Sequence, residues 1–310
     1  MSRPDLQTTI NRPVVVKGIN IFNNLNNQAV FHPAKQDSGL AFLLGKDLVE
    51  ANLENAKQVQ RTFGRTLAVE NGNAKIHIVE HILSSVYALG IDNLVIELSD
   101  DTCPTTDNCG KEYFEALKRA GLYIQDSPKE FWEYSKESPT LLWSNKDNTH
   151  KKEPCSLEVM HGNGFNIRSK AFYNHKAIGN REFLFDVSPS NYEKEVMSAR
   201  PPIKTKYKLP ESLVDITRSL GIHGATKTNY CFLSEESNGD PNMRGFRYDG
   251  NELVRHKMLD ILGTLALTGR HFKNTYFEFN KTDHKFDIYA LKELFNKEAF
   301  RTYAPKESLR

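Results

Sequence analysis

The sequence predicts an α+β protein made of two similar halves, and three observations support that prediction. Short β-rich runs come first, within residues 12–45, and strongly helical segments come later. The second half of the chain then repeats this style. The helical segment around His81 also resembles the one around His256. Because short apolar helices resemble one another by chance, this similarity alone leaves internal duplication undecided.

A charged, turn-rich segment gives the best domain boundary. A chain of 310 residues has about the length of two domains. Between residues 126 and 154 the composition shifts to charged residues and turn formers, which is typical of a linker. We therefore expect an N-terminal domain over residues 1–125, a linker over 126–154 and a C-terminal domain over 155–310.

The first half shows clear local patterns. We expect an antiparallel meander from three β-rich runs, a buried helix over residues 78–89 that ends at Gly90, a following strand and a second helix. The predicted strands are Pro13–Val16, Ala29–Phe31, Leu40–Leu44 and Leu94–Leu98, and the second helix is Lys111–Ala120.

The second half is predicted in the same way. Two strands precede a loop-rich region, and two helices follow it. The expected bounds are strands Phe165–Ala171 and Glu182–Val187, a loop region over Pro201–Pro210, and helices Glu252–Leu267 and Tyr289–Phe300.

Composition excludes several classes of protein. Lysine and arginine number 41 and aspartate and glutamate 39, so the net charge of +2 does not fit a nucleic-acid-binding protein. No stretch reaches the roughly 20 apolar residues that a membrane-spanning helix needs. Four cysteines are too few for a disulfide scaffold, and the first residues lack the features of a signal peptide. We expect a cytoplasmic chain without a leader.

The first candidate for chemistry is a pair on a helix. His256 and Asp260 are four residues apart, so both side chains project from one helical face. This is the spacing of metal ligands, although an ordinary exposed helical pair has the same spacing. His81 would supply a third ligand and leave a fourth position open for water, as in hydrolytic zinc sites.

Two neighbours of His81 allow alternatives. Glu80 is suited to act as a general base near a metal, but an acidic residue in a first helical turn also simply favours the helix dipole. His77 is four residues from His81 and forms a rival pair, which ranks lower because it has no carboxylate nearby. The sequence contains no Walker A, H-E-x-x-H, G-x-S-x-G or G-x-G-x-x-G motif, so the functions linked to these motifs lose support.

Longer motifs match a known family over most of the chain. They are Ile78-Val79-Glu80-His81-Ile82-Leu83, Leu89-Gly90-Ile91-Asp92-Asn93, Asn163-Gly164-Phe165, Arg247-Tyr248, Val254-Arg255-His256-Lys257-Met258-Leu259-Asp260 with Gly263, and Lys281-Thr282-Asp283-His284, with a shorter match at His175. In these motifs the sequence resembles the zinc-dependent UDP-3-O-acyl-N-acetylglucosamine deacetylases of lipid A biosynthesis. The motif that contains His256 and Asp260 is the most specific.

The resemblance implies a catalytic centre. His81, His256 and Asp260 would bind Zn²⁺, and Glu80 would take the proton from the zinc-bound water. His284 would stabilise the oxyanion and assist departure of the amine. The implied reaction is hydrolysis of the acetamide of UDP-3-O-acyl-N-acetylglucosamine, with release of acetate.

The resemblance also implies the fold and the substrate contacts. Lys257, Lys281 and Phe165 match positions around the diphosphate and uridine, and Lys257 also belongs to the catalytic group. The family fold consists of two similarly built two-layer α/β sandwich domains with the metal site between them. An inserted β-α-β unit for the acyl chain would follow Ala199. We expect a monomer that takes a UDP-linked acylated N-acetylglucosamine.

Three departures from the family pattern leave alternatives open. Pro201-Pro202-Ile203 stands where the family has Thr-Phe-Gly, which removes a hydroxyl that helps to hold the oxyanion. Thr264 stands where the family has the aspartate that orients its catalytic histidine, and residues 20–24 differ from the family's Gly-Leu-His-Ser-Gly turn. The alternatives are a paralogue that deacetylates another amino sugar, and a catalytically impaired zinc- or nucleotide-sugar-binding regulatory protein.

Overall fold

The computed structural model describes residues 5–61, 64–144, 154–173, 178–205, 230–234 and 246–305. Within these ranges the chain forms helices together with several separate sheets, which confirms the predicted α+β class. None of the helices found there is both long enough and apolar enough to cross a membrane.

The first half is mostly strands with two helices. Helix α1 is Glu80–Ala88 and helix α2 is Lys111–Ala120, the latter with its predicted bounds. Gly90 follows α1 with a φ of 74°, as expected for a glycine that ends a helix. The strands are β1 (Leu6–Ile10), β2 (Val14–Ile19), β3 (Asn26–Pro33), β4 (Leu40–Leu44), β5 (Asp47–Glu50), β6 (Ala56–Arg61), β7 (Gly64–Asn71), β8 (Ala74–His77), β9 (Leu94–Leu98) and β10 (Leu122–Pro128).

The second half has the same mixed character. Its helices are α3 (Pro189–Glu195), α4 (Glu252–Ala266) and α5 (His284–Asn296). Its strands are β11 (Phe131–Tyr134), β12 (Thr140–Trp143), β13 (Ser156–His161), β14 (Phe165–Tyr173), β15 (Gly179–Asp186), β16 (Pro202–Thr205), β17 (Cys231–Ser234), β18 (His271–Lys273), β19 (Thr275–Asn280) and β20 (Phe300–Tyr303).

Two five-stranded sheets share one topology. The first has the order β2-β3-β9-β4-β5 and the second the order β12-β13-β19-β14-β15. In both sheets the third strand is antiparallel to the second and parallel to the fourth, and the outer pairs are antiparallel. Helix α1 precedes the central strand of the first sheet, and α4 precedes that of the second. The similar segments around His81 and His256 therefore occupy equivalent positions in the topology of the two halves.

The predicted meander is wrong in its pairing. The expected strands exist, but β9 lies between β3 and β4, and β4 runs parallel to β9. The cause is the apolar run of β9, in which Leu94 and Ile96 are completely buried. A strand of this composition is most stable in the middle of a sheet, and local sequence patterns do not reveal such an insertion.

The last helix begins earlier than predicted. It starts at His284 because Asp283 caps it, with the Asp283 side chain accepting a hydrogen bond from the backbone N–H of Phe286. It ends at Asn296, and Phe300 begins strand β20 instead of closing the helix. Phe300 is apolar and buried, as are many residues of the helix before it, and so the sequence pattern alone does not separate it from that helix.

The regions predicted as linker and loop contain strands in their described parts. Strand β11 pairs with β18 and β20, and β12 pairs with β13. Strand β16 pairs in parallel with β17. His175, residues 145–153 and residues 206–210 lie outside the described residues. The division at 126–154 stays a prediction.

A glycine controls how closely the two central helices pack. All residues of α1 are buried, and α1 lies against α4. A Cβ at Gly263 would lie 2.5 Å from the carbonyl oxygen of Glu80 and 2.8 Å from its Cα. Both contacts are with backbone, which cannot rotate away as a flexible side chain could. Only glycine therefore allows α4 to approach the first turn of α1 this closely.

Gly263→Ala is expected to lower the free energy of unfolding by about 1–3 kcal/mol, the usual cost of overpacking a core. Helix propensity alone predicts the opposite sign, because alanine is favoured over glycine inside a helix by about 1 kcal/mol. Urea titration of both proteins gives the sign directly. A variant at least as stable as the wild type would show that the close approach of the helices is not required.

Candidate metal and catalytic centre

The three predicted metal ligands lie together. His81 comes from α1, and His256 and Asp260 come from α4, and their nearest ligand atoms all lie within 4.8 Å of one another. His256 Nε2 is 3.6 Å from an Asp260 carboxylate oxygen, and the rings of the two histidines are 5.2 Å apart between centroids. Residues 175 positions apart in the sequence thus meet where the two helices pack.

The orientation of His256 is determined by the chain before β16. His256 Nδ1 is 2.9 Å from the carbonyl oxygen of Ala199, so the ring donates from Nδ1 and Nε2 faces Asp260. The next residue, Arg200, forms a buried ion pair with Glu252 at 2.7 Å. This pair attaches the Ala199 segment to the start of α4. A backbone acceptor on the far nitrogen is a common way to orient a metal-binding histidine.

Glu80 and His284 complete the cluster. His284 Nε2 is 3.8 Å from a Glu80 carboxylate oxygen, and the two residues form a second close group with Asp260. Both side chains are buried. Glu80 Oε2 and His284 Nδ1 are buried without a hydrogen-bond partner among the described residues. Each stands at the first position of its helix, so the N-termini of α1 and α5 meet here.

The electrostatics of the cluster are those of a buried site with competing charges. Burial, together with the nearby Asp260, raises the pKa of Glu80 to about 8. Burial, together with His256, lowers the pKa of His81 to about 3. Burial alone would raise the pKa of Asp260, but His256, His284 and Lys257 hold it below its ordinary value. The pKa of His284 is lowered, mainly by burial.

These properties fit a bound divalent cation. His81 is held neutral and Asp260 ionised, which are the forms that coordinate a metal. Two nitrogens and one carboxylate are the donor set of many hydrolytic sites, with a further position for water. A cation here would also favour ionised Glu80 and offset the cost of burying the carboxylates. The cluster is thus a candidate metal site.

The predicted substrate residues occupy different surroundings. Lys257 is partly buried beside the cluster and donates to Asp287 at 2.9 Å. Lys281 lies three residues before His284, and its ammonium is 5.3 Å from the centre of the Phe172 ring. Phe165 begins β14 and packs against Phe272, with ring centroids 5.6 Å apart. The roles of Lys257, Lys281 and Phe165 in binding stay predictions.

The structure also describes the rival histidine and two of the positions that depart from the family pattern. His77 is buried next to Phe22, and neither group of possible metal ligands among the described residues includes it. The hydroxyl of Thr264 donates to the carbonyl oxygen of Asp260 within its own helix. The carbonyl oxygen of Pro201 accepts from the backbone N–H of Cys231, which joins the start of β16 to β17.

Sequence reasoning missed two carboxylates near the cluster. Asp287 pairs with Lys257, and Asp283 both caps α5 and pairs with Arg65 at 2.9 Å. Asp283 carries a recognisable signal, an aspartate three residues before the Phe286 N–H that it caps. Asp287 carries none, because the identity of its partner depends on how α4 and α5 pack.

The fold and the cluster together are typical of one class of protein, the metal-assisted hydrolases. Helices α1 and α4 precede the central strands of two sheets of matching topology and bring together two histidines and two carboxylates, and α5 adds a third histidine. Residues 7–296 match the family described as UDP-3-O-acyl N-acetylglycosamine deacetylase. The chain belongs to this family, which confirms the predicted resemblance and the prediction that it is an enzyme.

Individual relatives agree with this assignment. Proteins named UDP-3-O-acyl-N-acetylglucosamine deacetylase include one from Wolinella succinogenes that is 31% identical, covering 94% of this chain and 91% of the relative. One from Nautilia profundicola is 29% identical, covering 95% and 93%. One from Helicobacter pylori is 30% identical, covering 93% and 90%.

Glu252→Ala is expected to lower the free energy of unfolding by about 3–5 kcal/mol, because it leaves Arg200 in a buried place without its carboxylate. Glu193→Ala is the matched control, since Glu193 pairs with Lys118 at the surface, where such a pair contributes less than about 1 kcal/mol. Denaturant titration of both variants compares them. Equal losses would contradict the importance of the buried pair.

Proposed function

We propose that this chain removes the acetyl group from UDP-3-O-acyl-N-acetylglucosamine in lipid A biosynthesis, with zinc held by His81, His256 and Asp260. The observation that carries the proposal is the convergence of these three side chains with Glu80 and His284 in a chain of this family. We also propose that the chain acts as a monomer. The four cysteines are too few for a disulfide scaffold, which supports a reducing compartment such as the cytoplasm.

Glu80 is the proposed general base. Its Oε2 has no partner among the described residues and is therefore available to accept a proton from the attacking water. Burial raises its pKa towards the working pH, which suits a group that first accepts a proton and then passes it on. When bound by His81, His256 and Asp260, zinc would supply Lewis acidity to polarise the acetamide carbonyl and to lower the pKa of water.

His284 is the proposed acid. Its Nε2 lies 3.8 Å from a carboxylate oxygen of Glu80, and His284 forms one close group with Glu80 and Asp260. Burial lowers its pKa, whereas Asp260, Asp287 and Asp283 act in the opposite direction. Negative charge that develops on the acetamide oxygen would further favour the protonated ring. The N-termini of α1 and α5 direct their positive dipole ends into the same space.

The substrate contacts complete the proposal. Lys257 and Lys281 would neutralise the diphosphate, and Phe165 would contact the uridine. The parallel pair β16 and β17 begins directly after the Ala199 segment, which is where an inserted unit for the acyl chain is expected. This placement supports a lipid-bearing substrate.

The test is an acetate-release assay on UDP-3-O-acyl-N-acetylglucosamine with protein of known zinc content, with and without a chelator. Chelator-sensitive release is expected. Absence of release from protein that holds one zinc per chain would overturn the proposed substrate and favour a paralogue or a binding protein. The positions of Pro201 and Thr264, which lack the family's polar groups, would then be the first to examine.

Glu80→Gln is expected to retain zinc and to lower kcat by about 100-fold or more, because the amide cannot accept the proton. Zinc content and kcat, measured on the same preparation, separate the two effects. Near-normal kcat with full zinc content would contradict the general-base role.

His81→Ala is expected to lose both zinc and acetate release, because removing one of three protein ligands leaves too few donors. Equilibrium dialysis followed by metal analysis measures retention. His77→Ala serves as the matched control, since it is the rival histidine four residues earlier and should keep its zinc. Retention of zinc by His81→Ala together with its loss from His77→Ala would reverse the assignment.

A further inference from the structure

Asp287 lies beside the candidate centre, and one of its two carboxylate oxygens accepts no hydrogen bond from the described residues. It is completely buried, one helical turn after His284 on α5. Its Oδ2 accepts a hydrogen bond from Lys257 Nζ at 2.9 Å. Its Oδ1 is buried without a partner among the described residues. A buried carboxylate with one unsatisfied oxygen is costly, so a compensating role is expected.

Lys257 has more than one carboxylate within reach of its charge. It lies three residues before Asp260 on α4, so the two side chains share a face of the helix. Its ammonium also acts electrostatically on both Asp260 and Glu80. The contact that it makes, however, is with Asp287, on the facing helix.

The choice between these partners matters for the site. An ammonium bound to Asp260 would compete with a metal for the same oxygen lone pairs. An ammonium bound to Glu80 would make that carboxylate a weaker base. In a buried place an ion pair is screened little, so the position of a single ammonium has a large effect.

We propose that Asp287 is a positioning residue that holds the ammonium of Lys257 away from Asp260 and Glu80 and so keeps Asp260 available to the metal. This inference rests on the proposed function, because it takes Asp260 as a metal ligand. Asp287 belongs to neither group of possible metal ligands among the described residues. It acts through Lys257, so its effect on the metal requires that lysine.

The test is a set of zinc affinities, measured by competition with a chromophoric chelator for the wild type, Asp287→Asn, Lys257→Met and the double variant. Asp287→Asn keeps the shape of the side chain and removes its charge, so the ammonium is free to pair with Asp260. Zinc affinity is expected to fall about 10–100-fold, as for other groups that orient a ligand. Removing the ammonium as well should restore the affinity of the double variant to within about threefold of the wild type.

The double variant also keeps the test valid if the single variant folds poorly, because a buried ion pair replaced by neutral side chains of similar volume is usually tolerated. Asp92→Asn is the matched control. Asp92 forms a partly buried pair with Lys129 at 3.0 Å beyond the other end of α1, so its loss should leave zinc affinity unchanged.

The outcomes separate this inference from the proposed function. A wild-type chain that binds no zinc would overturn the proposed function. A zinc-binding wild type that releases acetate, with Asp287→Asn of equal zinc affinity, would overturn this inference alone. A double variant that binds zinc as weakly as Asp287→Asn would also overturn it, because the effect of Asp287 would then not pass through Lys257.

Discussion

The close approach of α4 to the first turn of α1 is the constraint on which the rest of the structure depends. Gly263 has no side chain, and so the backbone of α4 can lie against Glu80. That contact places His81 of one helix beside His256 and Asp260 of the other. A separation larger by the width of a methyl group would move the ligand atoms by an amount comparable to a coordination bond. The two sheets of equal topology support this packing from both halves of the chain.

Burial makes the cluster chemically useful and also costly. It holds His81 neutral and raises the pKa of Glu80, and both effects are results of removing water. Contacts outside the cluster offset the free-energy cost of burying these polar side chains. The carbonyl oxygen of Ala199 orients His256, and the Arg200–Glu252 pair attaches that segment to α4. Asp287 binds the ammonium of Lys257, so this positive charge lies near the cluster without occupying the carboxylate oxygens of Asp260. The cluster thus depends on polar contacts made by residues outside it.

Local sequence patterns predicted four of the five described α-helices but fewer than half of the described strands, and few of the partners of those strands. The bounds of β9 and α2 agree with prediction because apolar periodicity and a terminal glycine mark them. The pairing of β4 with β9 was missed because hydrogen bonding between distant strands leaves no local trace. The start of α5 was predicted too late in the chain, because the single capping residue Asp283 is a weaker sequence signal than a long apolar pattern.

The sequence by itself determined the α+β class, the candidate ligands and the family, because these depend on residue types at short spacings and on motifs. The tertiary structure decided that His81 rather than His77 lies beside His256 and Asp260, that Asp287 rather than Asp260 takes the ammonium of Lys257, and that Ala199 orients His256. Each of these depends on which residues of separate elements meet. That is decided by the packing of α1, α4 and α5, to which residues far apart in the chain contribute at once.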